Sequence, residues 1–166
     1  MSEAWLNFII VISTQLFLFV ICAYYTKKLS DVSRILGWGV LIAIVVGIPF
    51  DLVLGKFFGL HSFALGFGVS FLIINATLSY GLFVANILLL QQLRLPNFIL
   101  WNIVVVTIYE ITNYFFHVWS WGFALPPIEF VMVLLVGYLA GVILVAIISH
   151  ILLGRRFLFI EDLLKK

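Results

Sequence analysis

The sequence predicts an all-α fold: a polytopic membrane helix bundle with five transmembrane helices. Three observations lead there. Of 166 residues, 65% are hydrophobic and only 10% charged, against about 25% charged in a soluble domain, and mean hydropathy is +1.28. The apolar residues form uninterrupted runs near the length of about 20 that crosses a bilayer. The basic residues gather in alternate connections between those runs.

The runs are residues 4–25, 35–54, 66–90, 98–118 and 127–153. The first follows Met1-Ser2-Glu3-Ala4-Trp5, which has no basic n-region, and no small-x-small cleavage site follows it. It reads as a retained helix, not a signal peptide. The second carries Pro49 and Asp51 near its end. The third carries Asn75, Ser79 and Asn86, a polar stripe suited to hydrogen bonding between helices. Asn75-Ala76-Thr77 matches a glycosylation sequon but falls inside this run. The fifth starts after Pro126-Pro127 and holds Gly137 and Gly141, a small-xxx-small pair suited to close helix packing. No linker divides the chain, so residues 1–153 form a single transmembrane bundle. In 154–166, apolar residues recur at helical spacing between charges. They suggest a short helix lying in the cytoplasmic interface, with a solvated tail as the alternative.

Charge fixes the sidedness. Of the nine Lys and Arg residues, only Lys56 falls in the second or fourth connection. Lys27, Lys28 and Arg34 lie in the first, Arg94 in the third, and Arg155, Arg156, Lys165 and Lys166 in the tail. The positive-inside rule then puts the N-terminus outside and the C-terminus in the cytoplasm.

The second and third runs look like a weak two-helix internal repeat of the fourth and fifth. Asp51 is followed by Gly59-Leu60-His61-Ser62-Phe63, and Glu110 by His117-Val118-Trp119-Ser120-Trp121. Each unit is a helix with an acid near its end, an outward aromatic loop containing serine, and a returning helix. Two such units in one orientation imply a pseudo-two-fold along the membrane normal. Matching both the serines and the acids requires a single-residue gap.

Asp51, Glu110 and Glu129 thus sit in or at the mouth of apolar, membrane-length segments. An ionisable group at the centre of such a helix costs roughly 2.5–3.5 kcal/mol on insertion scales and by default marks a functional site. In the fourth run Thr107, Glu110, Asn113, Tyr114 and His117 recur at i, i+3, i+6, i+7 and i+10. That spacing puts them on one stripe, expected to face the bundle interior. Glu110 has no basic neighbour within its run. Asp51 has Lys56 five residues on, so a structural ion pair is the competing reading. Glu129 follows two prolines at a helix start, where the helix dipole alone favours an acid. Trp119 and Trp121 fit an interfacial belt or the wall of a site. His61, in a loop flanked by Gly59, can fold back over the end that carries Asp51.

Carboxyls at one depth, with histidines and aromatic faces, suit proton transfer in an apolar pocket. A carboxylic acid kept from water retains its proton and can donate it, while a carboxylate or neutral histidine accepts one elsewhere. The faces of Phe50, Phe63, Tyr114, Trp119 and Trp121 would stabilise a passing carbocation. Such a pocket fits a lipid-soluble polyene or isoprenoid.

Ile48-Pro49-Phe50-Asp51, followed by Gly59-Leu60-His61-Ser62-Phe63, resembles the lycopene cyclase domain of membrane-embedded carotenoid cyclases. That family has a helix ending in Asp, a Gly-x-Trp-x-Phe loop and a Pro-x-Glu-Glu helix start. Glu110, Trp119-Ser120-Trp121 and Leu125-Pro126-Pro127-Ile128-Glu129-Phe130 resemble its later part. The resemblance spans about residues 15–150. His61 stands where the family has Trp, Gly68-Val69-Ser70-Phe71 replaces the first Pro-x-Glu-Glu, and Phe130 replaces the second Glu of the later one. The implied reaction is protonation of a terminal double bond, ring closure and deprotonation. Glu129 and Asp51 are the implied acid–base pair, and Glu110 supports or replaces one of them. His61, Phe63, Asn113, Tyr114, His117, Trp119 and Trp121 would line the substrate. A second resemblance, through Gly47, Asp51, Gly55 and Gly59-Leu60-His61, is to the rod-shape-determining MreD family. It implies a membrane scaffold or substrate-binding subunit of a cell-envelope complex, without chemistry. A third reading is a small bundle whose acids only join helices.

Other classes fall away. Cys22 is the single cysteine, which excludes an internal disulfide or a multi-cysteine metal site. No local metal-ligand motif, phosphate-binding glycine loop or nucleophile elbow is present. A carboxylate–imidazole centre assembled from Asp51, His61, Glu110, His117 and Glu129 is the only metal option left, so neither metal nor cofactor is expected. No basic aromatic-bearing surface suggests nucleic acid. The expected partners are membrane lipids and the apolar substrate, with assembly into a homo- or hetero-oligomer left open. The expected location is a bacterial or archaeal cytoplasmic membrane.

Overall fold

In the computed structural model, residues 2–121 and a scattering of positions between 131 and 151 are described. Within them, four helical segments are long and apolar enough to cross a membrane: Glu3–Tyr25, Leu29–Phe57, Val69–Leu90 and Pro96–Phe115. They match the first four expected spans to within a few residues at most ends. The fifth is described only at those scattered positions, and the Gly137–Gly141 pair, Glu129 and the tail lie outside the described residues.

The first segment is one uninterrupted helix, α1 (Glu3–Tyr25). The second begins with a 3-10 turn and is composite: α2 (Val32–Ile42), a π turn (Ala43–Gly47), α3 (Ile48–Phe50) and a second π turn (Asp51–Phe57). Pro49 explains the first π turn. It lacks an N–H, and its ring presses on the carbonyl four residues back, so the preceding turn widens. The third segment is likewise α4 (Val69–Ile74), a π turn (Asn75–Tyr80) and α5 (Gly81–Leu90). The fourth is α6 (Leu95–Phe115).

α5 is the axis of the bundle. Every residue from Gly81 to Leu90 is buried, and α1, α2 and α6 all pack against it. Such all-round burial, apolar except at Asn86, leaves no amphipathic face, as expected for a central helix. One core cluster joins Phe19, Cys22, Ile35, Ile42, Leu88, Phe98 and Val105 around α5. A second joins Phe8, Val11, Phe63, Phe71, Leu72 and Val118. Ile12 and Tyr80 border both. Phe17, Val20, Val45, Val53, Ile73 and Ile103 are exposed along the outer faces, where lipid would meet them.

The fold is not purely helical. The loops that follow the second and fourth segments meet as an antiparallel ribbon, β1 (His61–Phe63) with β2 (Trp119–Trp121). The register pairs His61 with Trp121, Ser62 with Ser120 and Phe63 with Trp119. Loop segments with alternating burial and aromatic residues pair well as strands, and here the partners are brought together by helix ends instead of a hairpin turn.

Two buried side chains conflict with their surroundings, Gln15 of α1 and Asn86 of α5, the latter also without a hydrogen-bond partner for either amide atom among the described residues. Gln15 is fully buried in α1, and neither of its side-chain amide atoms has a hydrogen-bond partner among the described residues. An unpaired buried amide costs about 1–3 kcal/mol. Gln15→Leu is therefore expected to raise stability by about 1–2 kcal/mol, read as a higher midpoint of unfolding in mild detergent. A lower midpoint would contradict this.

Candidate functional site

Asp51 opens the second π turn and is buried to 1% exposure. Its Oδ1 accepts a hydrogen bond from the Tyr80 hydroxyl at 3.1 Å. The same oxygen lies 3.3 Å from His61 Nε2. Tyr80 arrives from the last position of the π turn before α5, and His61 from the first residue of β1. Three separate elements thus converge on one carboxylate. Lys56 is exposed, and no Asp51–Lys56 ion pair forms among the described residues. Both residues stand on the same π turn, Asp51 buried in the bundle and Lys56 on its exposed side.

Two glycines make this approach possible. A Cβ on Gly55 would lie 2.7 Å from His61 Nε2 and 2.5 Å from the Phe67 ring. A Cβ on Gly47 would lie 2.7 Å from the Tyr80 ring. Around the imidazole, Phe50 stacks at 6.1 Å, and Phe63, Phe67 and Trp119 meet it edge-on or tilted between 5.4 and 5.8 Å. His61 is therefore a polar group held in an aromatic cage and directed at a buried carboxylate.

Glu110 is buried at 4% exposure on α6, and its Oε2 has no hydrogen-bond partner among the described residues. The neighbouring Tyr109 hydroxyl is 3.2 Å from Ser79 Oγ, and its ring packs on Phe83 at 4.3 Å. Tyr80 and Tyr109 each lie within electrostatic reach of both Asp51 and Glu110. Each acid thus has a tyrosine beside it: Tyr80 bonded to Asp51, and Tyr109 next to Glu110 along α6.

The polar stripe of α6 holds only in part. Glu110 and Asn113 are buried, Thr107 and Tyr114 half-buried. The Asn113 side chain donates back to the Tyr109 carbonyl at 2.9 Å. His117 leaves the stripe. The helix ends at Phe115, and His117 takes a left-handed turn with φ 49 and is exposed. Helical spacing stops applying at the helix end, which corrects the expectation that His117 faces inward. Phe63 and Trp119 reach the site through the ribbon. Of Trp121 only the backbone, paired with His61, is described, and Glu129 lies outside the described residues.

Tyr80, Phe67 and Gly55 are site residues the sequence reading missed. Among the described residues no group of three or more His, Cys, Asp or Glu could hold a metal ion. Comparison of the chain with family models, curated proteins and solved structures finds no match.

Proposed function

We propose that this membrane protein carries out acid–base isomerisation of a lipid-soluble polyene or isoprenoid, closing a ring as the carotenoid cyclases it resembles do. The observation that carries this reading is the meeting of Asp51, His61 and Tyr80 inside an aromatic cage, with a second acid, Glu110, buried on α6. In this scheme a protonated carboxyl donates to the terminal double bond. The resulting tertiary cation is attacked by a neighbouring double bond, forming the ring carbon–carbon bond. Loss of a proton to the second acid–base group restores neutrality, so the product is an isomer. Glu110, with an unpartnered oxygen, suits the donor. Asp51, bonded by Tyr80 and facing His61, suits the acceptor. Phe50, Phe63 and Trp119 supply π faces for the cation. Glu129 remains a candidate through the family resemblance.

The proposed topology has five spans, the N-terminus outside and the C-terminus in the cytoplasm, built on two related units. Three features support that relation. Ser62 and Ser120 sit opposite each other at the ribbon's centre, with hydroxyls 3.2 Å apart. Gly59 and His117, which correspond in the repeat, both turn left-handed at a helix end, with φ 64 and 49. The single-residue gap between acid and serine falls where the first unit has a π turn and α6 has none, since a π turn accommodates an extra residue. The relation leaves one difference. His61 faces its acid in the first unit, and Trp119 takes the matching place in the second.

Expression in a lycopene-accumulating bacterium tests the function. The account predicts that the pigment moves from red toward yellow-orange. Unchanged red pigment, with the protein present in the membrane, would contradict it. A scaffold role gains support from the same ties, because a carboxylate held from two other elements also fastens helices together. Under that reading the pigment stays red and the protein co-purifies with a larger envelope complex.

A further inference from the structure

The far end of the bundle carries a second arrangement that the acid–base site does not use. α1 closes with Lys27 N–H donating to the Tyr24 carbonyl at 3.1 Å and Lys28 N–H to the Ala23 carbonyl at 3.0 Å. This is the pattern in which the residue after the helix cap turns left-handed, a place usually held by glycine. Here it is held by Lys27, with φ 56. A Cβ is sterically disfavoured in that conformation, so the chain accepts a strained backbone at the point where it places a lysine. Observed strain of this kind is a reason to look for a site.

Beside it lies a recess of about 580 Å3, lined among the described residues by Tyr24, Tyr25, Lys27, Leu29 and Ser30. Its wall is braced by Tyr25, whose ring packs on Trp101 of α6 at 4.7 Å. Lys28 and Arg34 are both engaged by Asp31, at 3.8 and 3.3 Å. Lys27 is exposed and has no carboxylate partner among the described residues. Tyr24 and Leu29 are exposed at 75% and 59%. The recess therefore combines an unneutralised ammonium, a serine hydroxyl and apolar walls, at the end of two membrane spans.

We propose that this recess seats the headgroup of an anionic phospholipid, with the phosphate on Lys27 and Ser30 and the start of the lipid's apolar portion along Tyr24 and Leu29. Charge complementarity selects the headgroup, since Lys28 and Arg34 share the single carboxylate of Asp31 while Lys27 has none among the described residues. Juxtamembrane basic residues attract acidic lipid generally. The built recess makes Lys27 count for more than the lysine and arginine beside it.

The full-length protein is reconstituted in nanodiscs of phosphatidylcholine alone, or with a quarter phosphatidylglycerol, and its thermal unfolding followed. Wild type is expected to gain roughly 2–4 °C from the acidic lipid. Lys27→Gly is expected to match or exceed wild type in phosphatidylcholine, because glycine relieves the left-handed turn, and to lose the acidic-lipid gain. Lys27→Gln, which keeps the turn and removes the charge, is expected to lose it too. Lys28→Gln and Arg34→Gln should keep most of it. The proposal is overturned if wild type gains nothing, if both Lys27 variants keep the gain, or if all three basic positions contribute equally. It is overturned also if inorganic phosphate added to phosphatidylcholine discs reproduces the gain.

Discussion

Asp51→Asn and Glu110→Gln are each expected to lower ring formation by about 10²–10⁴-fold while leaving the protein in the membrane at normal levels. Asparagine keeps the size of the side chain and an oxygen that can still accept from the Tyr80 hydroxyl. What it loses is the capacity to take a proton. Glutamine at position 110 similarly fills the same buried space and can donate an N–H, but cannot give up a proton to carbon. Tyr80→Phe removes one hydrogen bond to Asp51, worth roughly 1 kcal/mol net, and so acts as a positioning change with a loss of about tenfold or less. The check is product formed per unit of membrane-inserted protein. If both amide variants kept wild-type conversion, the two acids would be structural. If only Glu110→Gln kept it, the donor would have to be sought elsewhere, with Glu129 first.

The largest expected effect on stability is at Gly39. An ideal Cβ there would lie 2.5 Å from the Gly81 carbonyl oxygen and 2.9 Å from the backbone nitrogen of Ala85. Reciprocally, a Cβ on Gly81 would lie 2.8 Å from the Val40 side chain. α2 and α5 therefore touch backbone to backbone, as membrane helices do where small residues face each other. Helix propensity alone would reward Gly39→Ala by about 1 kcal/mol. The clash is with backbone that cannot swing aside, and overpacking costs about 1–3 kcal/mol. Gly39→Ala is expected to be destabilising on balance, and Gly39→Leu to part the two helices and prevent assembly. Gly37→Ala is the control, because nothing lies within 4 Å of its Cβ, and it should be neutral or gain up to about 1 kcal/mol. Unfolding midpoints in mild detergent decide. Equal behaviour of the two alanine variants would contradict the close contact.

Four of the expected spans were readable because membrane-length apolar runs need no partner to identify them. Boundaries were less readable. The C-terminal end of the second segment continues to Phe57, where the sequence places the start of the connection at Gly55, because the π turn keeps the helix going past the glycine. The pairing of the loops after the second and fourth segments was also hidden. β1 and β2 are short, far apart in sequence, and meet only because the helices bring them together. Asp51 and Glu110 stood out as costly acids, and the glycine before His61 hinted at a fold-back. Tyr80 did not stand out, since a tyrosine in an apolar run carries no signal until its neighbour is known. His117 misled because a helical stripe was extended beyond the residue where the helix ends.

The central claim is that these residues move a proton to and from a carbon chain. Supplying lycopene to membranes containing the protein in deuterated water, followed by mass spectrometry of the product, tests it most directly. Protonation by a carboxyl that exchanges with solvent predicts a cyclic isomer carrying deuterium in each new ring, its formation lowered about 10²–10⁴-fold by Asp51→Asn. Unchanged lycopene recovered from wild-type membranes, or a cyclic product without solvent deuterium, would contradict it.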